Sequence, residues 1–422
     1  MENLTRRNFM AASAAAVAVP AILGAQNKSG TKLPVMGEGE FMYEVQHDWG
    51  MNTLPASIKY GNTHSIVQDR NGHVYVHHTV HADSQSPDAV VEFDEKGKFI
   101  KSWGAMFKGG AHGMHYAIEG RNEYFYFCDE KHGIVTKRTL KGEEVWTMGY
   151  PQWSPVYQKG PGSTGPGGAA GLNYRPTNIA VNPANLDFWI GDGYGSYYMF
   201  HYKQKTSTSY PELVRTFGGP PAAAAAPAGG GQGKGKGGGA GDGKALTPPP
   251  PAAADLQAKG GDAKGKGDAK GKGDGKGKGG GGGAPAAIEN TNNPHGNWID
   301  TRDPNNVVLV VADRGNRRVV RYTLDDKPID IIEGTTQPCH FHQYKDLLVV
   351  PDLASRVSII KGNKVAVTMG IGANTTRTSQ NRADFPVGQF VAPHGACFDH
   401  DGNIFVAEWV EIGRVTKLRR LA

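Results

Sequence analysis

The stretches NNPHGNWID (residues 292–300) and VAPHGACFD (residues 391–399) carry nearly the same phrase at two distant places in the chain. Both place Pro-His-Gly at the start of an apolar run, and both have an Asp five residues after the His. Two copies of one phrase indicate an internal repeat, and a repeat decides the class of fold before any single residue does.

Four looser copies of this phrase occur elsewhere in the chain. They are NTHSIVQD from residue 62, GAHGMHYA from residue 110, RPTNIAVN from residue 175 and QPCHFHQY from residue 337. Further short apolar runs follow most copies, as in NVVLVVAD and RRVVRYTL after residue 300. Alternating runs broken by Gly, Asn and Asp are typical of β-strands. The His position is occupied, in chain order, by His64, His112, Thr177, His295, His340 and His394.

A fourth run in each unit usually ends in an aromatic residue or Met followed by Gly, as in KFIKSWG and KVAVTMG. Five copies follow the first five units, whereas the sixth, FMYEVQHDWG (residues 41–50), precedes the first unit. The last unit therefore lacks an outer strand of its own, and the N-terminal segment supplies one. Such an exchange closes a ring of sheets and removes free edges. The sequence predicts an all-β fold, a six-bladed β-propeller over residues 41–422 that is closed by an N-terminal outer strand.

A low-complexity insertion interrupts the join between the third and fourth blades, at residues 219–287. Within it, residues 229–283 hold ten Lys and five Asp, which account for most of the net charge of +6 of the 422-residue chain. The rest of the chain is close to neutral, so its charge gives no support for a nucleic-acid partner. The insertion has too few apolar residues to offset its chain entropy, and we expect disorder. We expect a solvated loop; binding to acidic surfaces is the alternative.

The N-terminus, MENLTRRNFMAASAAAVAVPAILGAQ, has the form of an export signal. A twin arginine, Arg6 and Arg7, precedes Phe9 and an Ala-rich run that is too short to span a membrane. The pattern resembles a bacterial Tat signal, the substrate of the Tat export machinery; a Sec signal or a frayed helix is the alternative. We expect a signal peptide over residues 1–25, a linker over 26–40, and a periplasmic or secreted protein without stable membrane insertion.

Five of the six repeat positions carry a histidine, and the first strand of each propeller blade lines the central channel. We therefore expect His64, His112, His295, His340 and His394 at one depth, where a divalent cation would satisfy otherwise costly buried imidazoles. Alternate blades supply His112, His295 and His394, a three-His set with an open position of the kind that catalytic zinc prefers. His64 and His340 are possible additional ligands. Iron, copper and nickel also suit imidazole. The alternative is that each His caps a turn or forms a hydrogen bond in the channel.

Three cysteines, Cys128, Cys339 and Cys397, show no CxxC spacing. In an exported protein an odd number allows at most one disulfide, with a thiol left over. We expect core thiols. Metal ligation by Cys339, which precedes His340, or by Cys397, which lies near His394, is the alternative.

The blade pattern resembles NHL-repeat propellers and, more closely, the catalytic core of peptidyl-α-hydroxyglycine α-amidating lyase. The resemblance covers residues 41–421 apart from the insertion. Its most specific segments are RPTNIAVNPANLDFWIGDGYGSYYMFHY, PHGNWID with VVADRGNRRVVRY, and PHGACFDHDGNIFVAE. In that family three His on alternate blades bind zinc, and they match His112, His295 and His394. The catalytic Tyr of the family falls on Tyr194 in DGY, and an active-site Arg falls on Arg314 in ADR.

The chain also departs from the family at two positions. The second active-site Arg of the family falls near Thr79, and the acidic calcium ligand that follows the third zinc His is Gly395 here. The resemblance therefore implies zinc rather than calcium and leaves a substrate carboxylate with fewer partners.

The implied function is a metal-dependent lyase that acts on a hydroxylated, carbinolamide-type or related small-molecule or peptide substrate. Tyr194 would be the general base, and Arg314 would hold developing negative charge. Alternatively, Tyr194 is a turn aromatic and Arg314 forms an ion pair between blades. Two other functions remain open, a non-catalytic NHL propeller that binds a protein or glycan, and a calcium-dependent lactonase-like hydrolase.

Overall fold

The structure is a computed structural model that describes residues 23–26, 32–157, 174–221, 286–372 and 376–421. Most of the expected signal peptide, residues 1–22, and most of the low-complexity insertion lie outside these residues. The chain divides into two compact units, and all described residues belong to the first, Met1–Pro221 with Ala286–Ala422. No helix of the described residues has the length and hydropathy needed to cross a membrane.

Strands make up almost all of the regular structure. In chain order they are β1 (Leu23–Gln26), β2 (Lys32–Met36), β3 (Tyr43–Gln46), β4 (Thr63–Gln68), β5 (Val74–His78), β6 (Val90–Phe93), β7 (Phe99–Trp103), β8 (Ala111–Glu119), β9 (Asn122–Asp129), β10 (Ile134–Thr139), β11 (Glu144–Met148), β12 (Asn178–Val181), β13 (Phe188–Gly191), β14 (Tyr198–Lys203), β15 (Glu212–Gly218), β16 (Pro294–Asp300), β17 (Val308–Asp313), β18 (Arg318–Tyr322), β19 (Pro328–Ile332), β20 (His342–Tyr344), β21 (Leu347–Asp352), β22 (Arg356–Lys361), β23 (Lys364–Met369), β24 (Pro393–Phe398), β25 (Ile404–Glu408) and β26 (Arg414–Arg420). Single 3₁₀ turns occur at Met51–Thr53, Ala105–Phe107, Arg314–Asn316 and Arg382–Asp384.

These strands form six antiparallel sheets, the six blades of a β-propeller. Blades one to five are four-stranded and consist, in order, of β4–β7, β8–β11, β12–β15, β16–β19 and β20–β23. In each of them the strands follow the chain from one edge of the sheet to the other. The predicted all-β, six-bladed propeller is confirmed.

The sixth blade closes the ring with a strand from the N-terminal segment. Its order is β1-β2-β3-β26-β25-β24, so that β3 pairs with the last strand of the chain. The pairing is antiparallel, with Val45 opposite Leu418 and Tyr43 opposite Arg420. The predicted closure by an N-terminal outer strand is confirmed.

Residues 26–40, which we expected to form a linker, contain the strand β2. It pairs with β3, and its residues Val35 and Met36 are buried. A four-stranded blade pattern does not anticipate this addition. The physical reason is that β3 would otherwise present an unpaired edge, which a further strand covers.

The hydrophobic core is divided among the interfaces between neighbouring blades. One cluster joins Tyr43, Val45 and Ile404 of blade six to Val349 and Val367 of blade five. Similar clusters join the other blades. Because strands alternate their two faces, each blade is buried on both sides and its outer strand is the most exposed.

An acidic side chain at the end of the second strand of most blades anchors the segment that enters the blade. The anchoring bonds run from backbone N–H groups to carboxylates: Arg175 to Asp192 (2.8 Å), Asn292 to Asp313 (2.7 Å), Gln337 to Asp352 (2.9 Å) and Val391 to Glu408 (2.6 Å). These carboxylates are buried. The repeated acid therefore fixes where the first strand begins, and with it the position of the repeat histidine.

The closure can be tested at Tyr43, which is 1% exposed in β3. Tyr43→Ala should lower the free energy of unfolding by about 3–5 kcal/mol, because it removes a large buried side chain from the interface between blades five and six. Urea unfolding measures this change. The control is Ile100→Ala in the outer strand β7, where the side chain is 41% exposed and the change should stay within about 0.5 kcal/mol. Equal small effects in both variants would show that the N-terminal closure contributes little.

Candidate metal centre

The first strands of blades two, four and six share a His-Gly pair at a β-bulge. The pairs are His112-Gly113, His295-Gly296 and His394-Gly395, and the register of each strand shifts at or beside its pair. A bulge bends the strand locally and re-aims a side chain. The repeated phrase that reveals the fold is therefore also the feature that directs three imidazoles.

Each of these histidines forms a hydrogen bond through Nδ1 to a backbone carbonyl of the next blade. The distances from Nδ1 to the oxygen are 2.6 Å for His112 with Thr177, 2.8 Å for His295 with Cys339 and 2.9 Å for His394 with His64. A carbonyl only accepts, so Nδ1 carries the hydrogen and Nε2 keeps its lone pair. This is the outer-shell arrangement that orients histidine ligands in metal sites.

The glycine of each pair is required by the close approach of the next blade. A Cβ atom on Gly113 would lie 2.5 Å from the Thr177 carbonyl oxygen, and on Gly296 or Gly395 it would lie 2.4 Å from the oxygen of Cys339 or His64. These are the same oxygens that accept from the histidines. An acidic side chain at position 395, as in the family that the chain resembles, has no room in this backbone arrangement.

The three alternate-blade imidazoles lie close together in the centre of the propeller. Ring centroids are 4.8 Å apart for His112 and His295, 4.8 Å for His112 and His394, and 4.7 Å for His295 and His394. His64 joins them, with its ring 4.9 Å from His112 and 4.6 Å from His394. Four of the five histidines singled out in the sequence thus form one cluster.

Some donor atoms of this cluster lie close enough together for one metal ion, although the expected set of His112, His295 and His394 does not form such a group among the described residues. Nε2 of His112 and Nε2 of His394 are buried without a hydrogen-bond partner among the described residues. Two groups of three residues have possible ligand atoms that all lie within 4.8 Å of one another: His64, His112 and His394, and His295, Cys339 and His394. A bound cation would accept the lone pairs of these nitrogens, which are otherwise buried without a partner.

The electrostatic setting keeps the imidazoles neutral. Burial lowers the pKa of His64, His112, His295 and His394 well below the usual value of 6.5, and neighbouring imidazoles and Arg314 lower it further. A neutral imidazole is the form that binds a metal. The cluster is therefore in its ligating state at neutral pH.

His340, the fifth histidine of the repeat, stands apart from the other four. Its Nδ1 bonds to the carbonyl oxygen of Ala396 at 3.2 Å, two residues beyond His394 in β24. In the part of the chain that the structure describes, its ring does not contact the rings of the other four. It still acts on the cluster electrostatically, because it lowers the pKa of His394 as well as those of His115 and His342. Its Nε2 is also buried without a hydrogen-bond partner among the described residues.

Tyr194 and Arg314 meet at the edge of the cluster. The Tyr194 hydroxyl lies 3.1 Å from Nε2 of His295, and the Arg314 guanidinium donates to the same hydroxyl at 3.1 Å. The ring of Tyr194 also packs edge-on against His112, with centroids 5.3 Å apart. Burial raises the pKa of Tyr194, whereas Arg314 acts in the opposite direction. Arg314 has no carboxylate partner among the described residues, so the alternative of an ion pair between blades finds no support there.

Two residues that the sequence did not single out contact Tyr194 and Arg314, at the corner of the site that these two side chains form. Asn293 has a left-handed backbone (φ 58°), accepts from Nε of Arg314 at 2.7 Å and donates to the Gly193 carbonyl at 2.5 Å. Its only sequence signal is its place before Pro-His-Gly. Arg175 lies with Cζ 5.0 Å from the centre of the Tyr194 ring and pairs through Nε with Glu130 at 2.7 Å.

Arg175 also links this corner to a cavity. A space of about 540 Å³ is lined by Arg175, Glu130, Lys131, Tyr150 and Tyr174 among others. Since Arg175 touches both the cavity and the Tyr194 ring, this cavity borders the site of Tyr194 and Arg314.

The chain matches no family model and no curated protein. Solved structures with a similar fold include a streptogramin B lyase, with 11% identity, 91% of this chain and 99% of that chain covered, and a TM-score of 0.47. A virginiamycin B lyase from Staphylococcus aureus shows 12% identity, 90% and 100% coverage and a TM-score of 0.43. A chain of a nidogen/laminin complex shows 10% identity, 78% and 88% coverage and a TM-score of 0.40. At these values the likeness carries no argument about the reaction, the metal or the substrate.

The buried histidines predict how stability depends on pH. Burial lowers the pKa to about 3 for His77, His78, His115 and His342 and to about 4 for His340. In the unfolded chain the value is about 6.5, so the unfolded state binds more protons below that pH. The free energy of unfolding of the metal-free protein should therefore fall as the pH drops from about 6.5 towards 3, by up to about 1.4 kcal/mol per pH unit for each histidine, and the melting temperature should fall with it.

His115→Phe tests this dependence, because it keeps an aromatic ring beside Trp298, 5.0 Å away, and removes one titrating group. Its melting temperature should fall less steeply with acid. His400→Gln at an exposed position is the control and should follow the parent protein. Parallel curves of melting temperature against pH for the parent protein, His115→Phe and His400→Gln would contradict the expectation.

Proposed function

We propose that the protein is an exported, metal-dependent lyase that acts on a hydroxylated, carbinolamide-type small-molecule or peptide substrate. One observation carries the proposal: neutral imidazoles with unprotonated Nε2 atoms from alternate blades converge beside a Tyr hydroxyl that an Arg donates to. Neither a purely structural channel nor a nucleic-acid surface calls for this combination. Export by the Tat machinery to the periplasm or beyond is proposed from Arg6 and Arg7.

His112, His295 and His394 are the proposed metal ligands, and His64 lies within reach as a further one. Zinc suits such a set, as does another divalent transition metal. When bound, the ion polarises a substrate oxygen or lowers the pKa of a water molecule. The chain holds each proposed ligand in one tautomer through the carbonyl of the next blade, so little reorganisation accompanies binding.

Tyr194 would transfer the proton, and Arg314 would stabilise the negative charge on the phenolic oxygen. As a phenolate, Tyr194 accepts the proton of the substrate hydroxyl, the C–N bond breaks as the C=O bond forms, and the proton passes to the departing amide nitrogen. The products are an amide and an aldehyde acid. Burial disfavours the phenolate and raises the pKa of Tyr194, and the guanidinium of Arg314 offsets part of this by donating to the phenolic oxygen.

The substrate carboxylate of such a carbinolamide needs a cationic partner. The region of Thr79 offers no arginine, but Arg175 lies on the Tyr194 ring and faces the cavity with Lys131. We propose that this cavity admits the acidic end of the substrate.

The second candidate function is non-catalytic binding of a protein or glycan. It is favoured by Trp153 and Tyr210, which are 65% and 61% exposed and line a second cavity of about 700 Å³. Exposed aromatic side chains suit such contacts. A calcium-dependent lactonase-like activity has less support, because neither group of donor atoms in the described residues contains a carboxylate.

Elemental analysis of the purified protein tests the metal site. The parent protein should carry about one transition metal ion per chain, and His112→Ala, His295→Ala and His394→Ala should each weaken binding strongly, because each removes one of the three proposed imidazole ligands. His64→Ala and His340→Ala should have smaller effects, and His400→Gln at an exposed position serves as the control that leaves binding unchanged. Calcium or no metal in a folded parent protein would overturn the proposal.

The reaction can be tested with a peptidyl-α-hydroxyglycine and an assay for the released aldehyde acid. Tyr194→Phe should lower kcat by at least about 100-fold, since general base catalysis contributes 10²–10⁴-fold, while the metal content stays unchanged. The exposed Tyr210→Phe is the matched control and should retain full activity. A parent protein that binds its metal but releases no product from carbinolamides would restrict the proposal to another substrate class or favour the binding function.

A further inference from the structure

Cys339 is buried beside the candidate metal centre and lies outside the hydrophobic clusters of the described residues. Its Sγ and one ligand nitrogen from each of His295 and His394 all lie within 4.8 Å of one another, and all three residues are buried. Ligands around one tetrahedral zinc ion are separated by roughly 3.3–3.6 Å, as follows from Zn–N and Zn–S bonds of about 2.0–2.1 and 2.3 Å. Small side-chain adjustments would bring the three atoms to one ion.

The other two cysteines provide a contrast. Cys128 packs in the cluster between blades two and three, and Cys397 packs in the cluster between blades six and one. Cys339 belongs to none of the hydrophobic clusters of the described residues, and neither Cys128 nor Cys397 belongs to a donor group there. Of the three cysteines, Cys339 is therefore the one whose place in the fold suits metal binding.

Burial raises the pKa of the Cys339 thiol to about 11, and the nearby Arg314 acts in the opposite direction. The thiol donates to the Gln337 carbonyl at 3.3 Å, and the Arg314 guanidinium lies 3.9 Å from Sγ. A guanidinium at this distance favours the charged sulfur. The backbone of the same residue is already part of the site, because the Cys339 carbonyl accepts from Nδ1 of His295. One residue thus orients an imidazole with its carbonyl and places a soft donor beside it.

We propose that Cys339 is a metal ligand and forms a mixed nitrogen–sulfur donor set with His295 and His394. The proposal rests on the metal centre of the proposed function and goes beyond its all-imidazole set. On binding, the thiol gives its proton to solvent and the S–metal bond forms. A thiolate selects thiophilic cations such as Zn²⁺, Co²⁺ and Cu⁺ over Mg²⁺, Ca²⁺ and Mn²⁺.

Cobalt titration of the metal-free full-length protein tests the proposal, because a Co²⁺–thiolate bond gives an intense near-ultraviolet charge-transfer band that imidazole ligands do not give. The parent protein should develop this band at one equivalent of Co²⁺, together with the weaker visible bands of Co²⁺ itself. Cys339→Ser should lose the ultraviolet band and bind Zn²⁺ at least about 10-fold more weakly, the loss that follows removal of even an outer partner.

The control keeps Cys339 as the sole cysteine. Cys128→Ser combined with Cys397→Ala should retain the ultraviolet band and the parent affinity, so that the assignment survives even if Cys339→Ser folds poorly. Stoichiometric visible bands without the ultraviolet band in the parent protein would overturn the Cys339 proposal and leave the histidine site standing. The absence of any Co²⁺ or Zn²⁺ binding by the parent protein would overturn the proposed function as well.

Discussion

The hydrogen bond from a channel histidine to the backbone of the next blade is the contact on which the proposed site depends. It occurs at His112, His295 and His394, and each time the following glycine allows the neighbouring carbonyl to come close enough. The same contact links adjacent blades and sets the tautomer of an imidazole. Fold and candidate chemistry therefore share one small piece of backbone geometry, which explains why the pair His-Gly is repeated rather than the histidine alone.

The odd-numbered blades show what happens where that geometry is missing. In blade one Ser65 follows the histidine, and its hydroxyl donates to the carbonyl of His112 at 2.7 Å, so Nδ1 of His64 is left without a hydrogen bond. In blade three the Thr177 hydroxyl donates to the Pro294 carbonyl at 2.9 Å. Blades one and three thus reach the next backbone through a hydroxyl group, whereas the other four blades do so through an imidazole, at a longer distance of 3.2 Å in blade five.

The sequence was sufficient to predict the propeller, its six blades and its closure, because these follow from period, alternation and the offset of FMYEVQHDWG (residues 41–50). It was insufficient for His340. That histidine is followed by Phe341, which is buried in the cluster of blades four and five, so blade five cannot approach the next backbone as a glycine allows. Asn293 and Arg175 were missed for another reason. Their contacts with Arg314 and Tyr194 join residues far apart in the chain, and no local pattern records such pairs.

Arg314 connects the two sides of the candidate site. It donates to the Tyr194 hydroxyl, lies near the Cys339 thiol and is held by Asn293, while no carboxylate among the described residues neutralises it. A half-buried guanidinium without a carboxylate partner is partly desolvated, and nearby anionic character would offset that cost. A phenolate at Tyr194 and a thiolate at Cys339 would each supply that character, and each is the form that the proposed chemistry uses. The charge of Arg314 therefore favours the base and the sulfur ligand together, and a change at this one residue would disturb both.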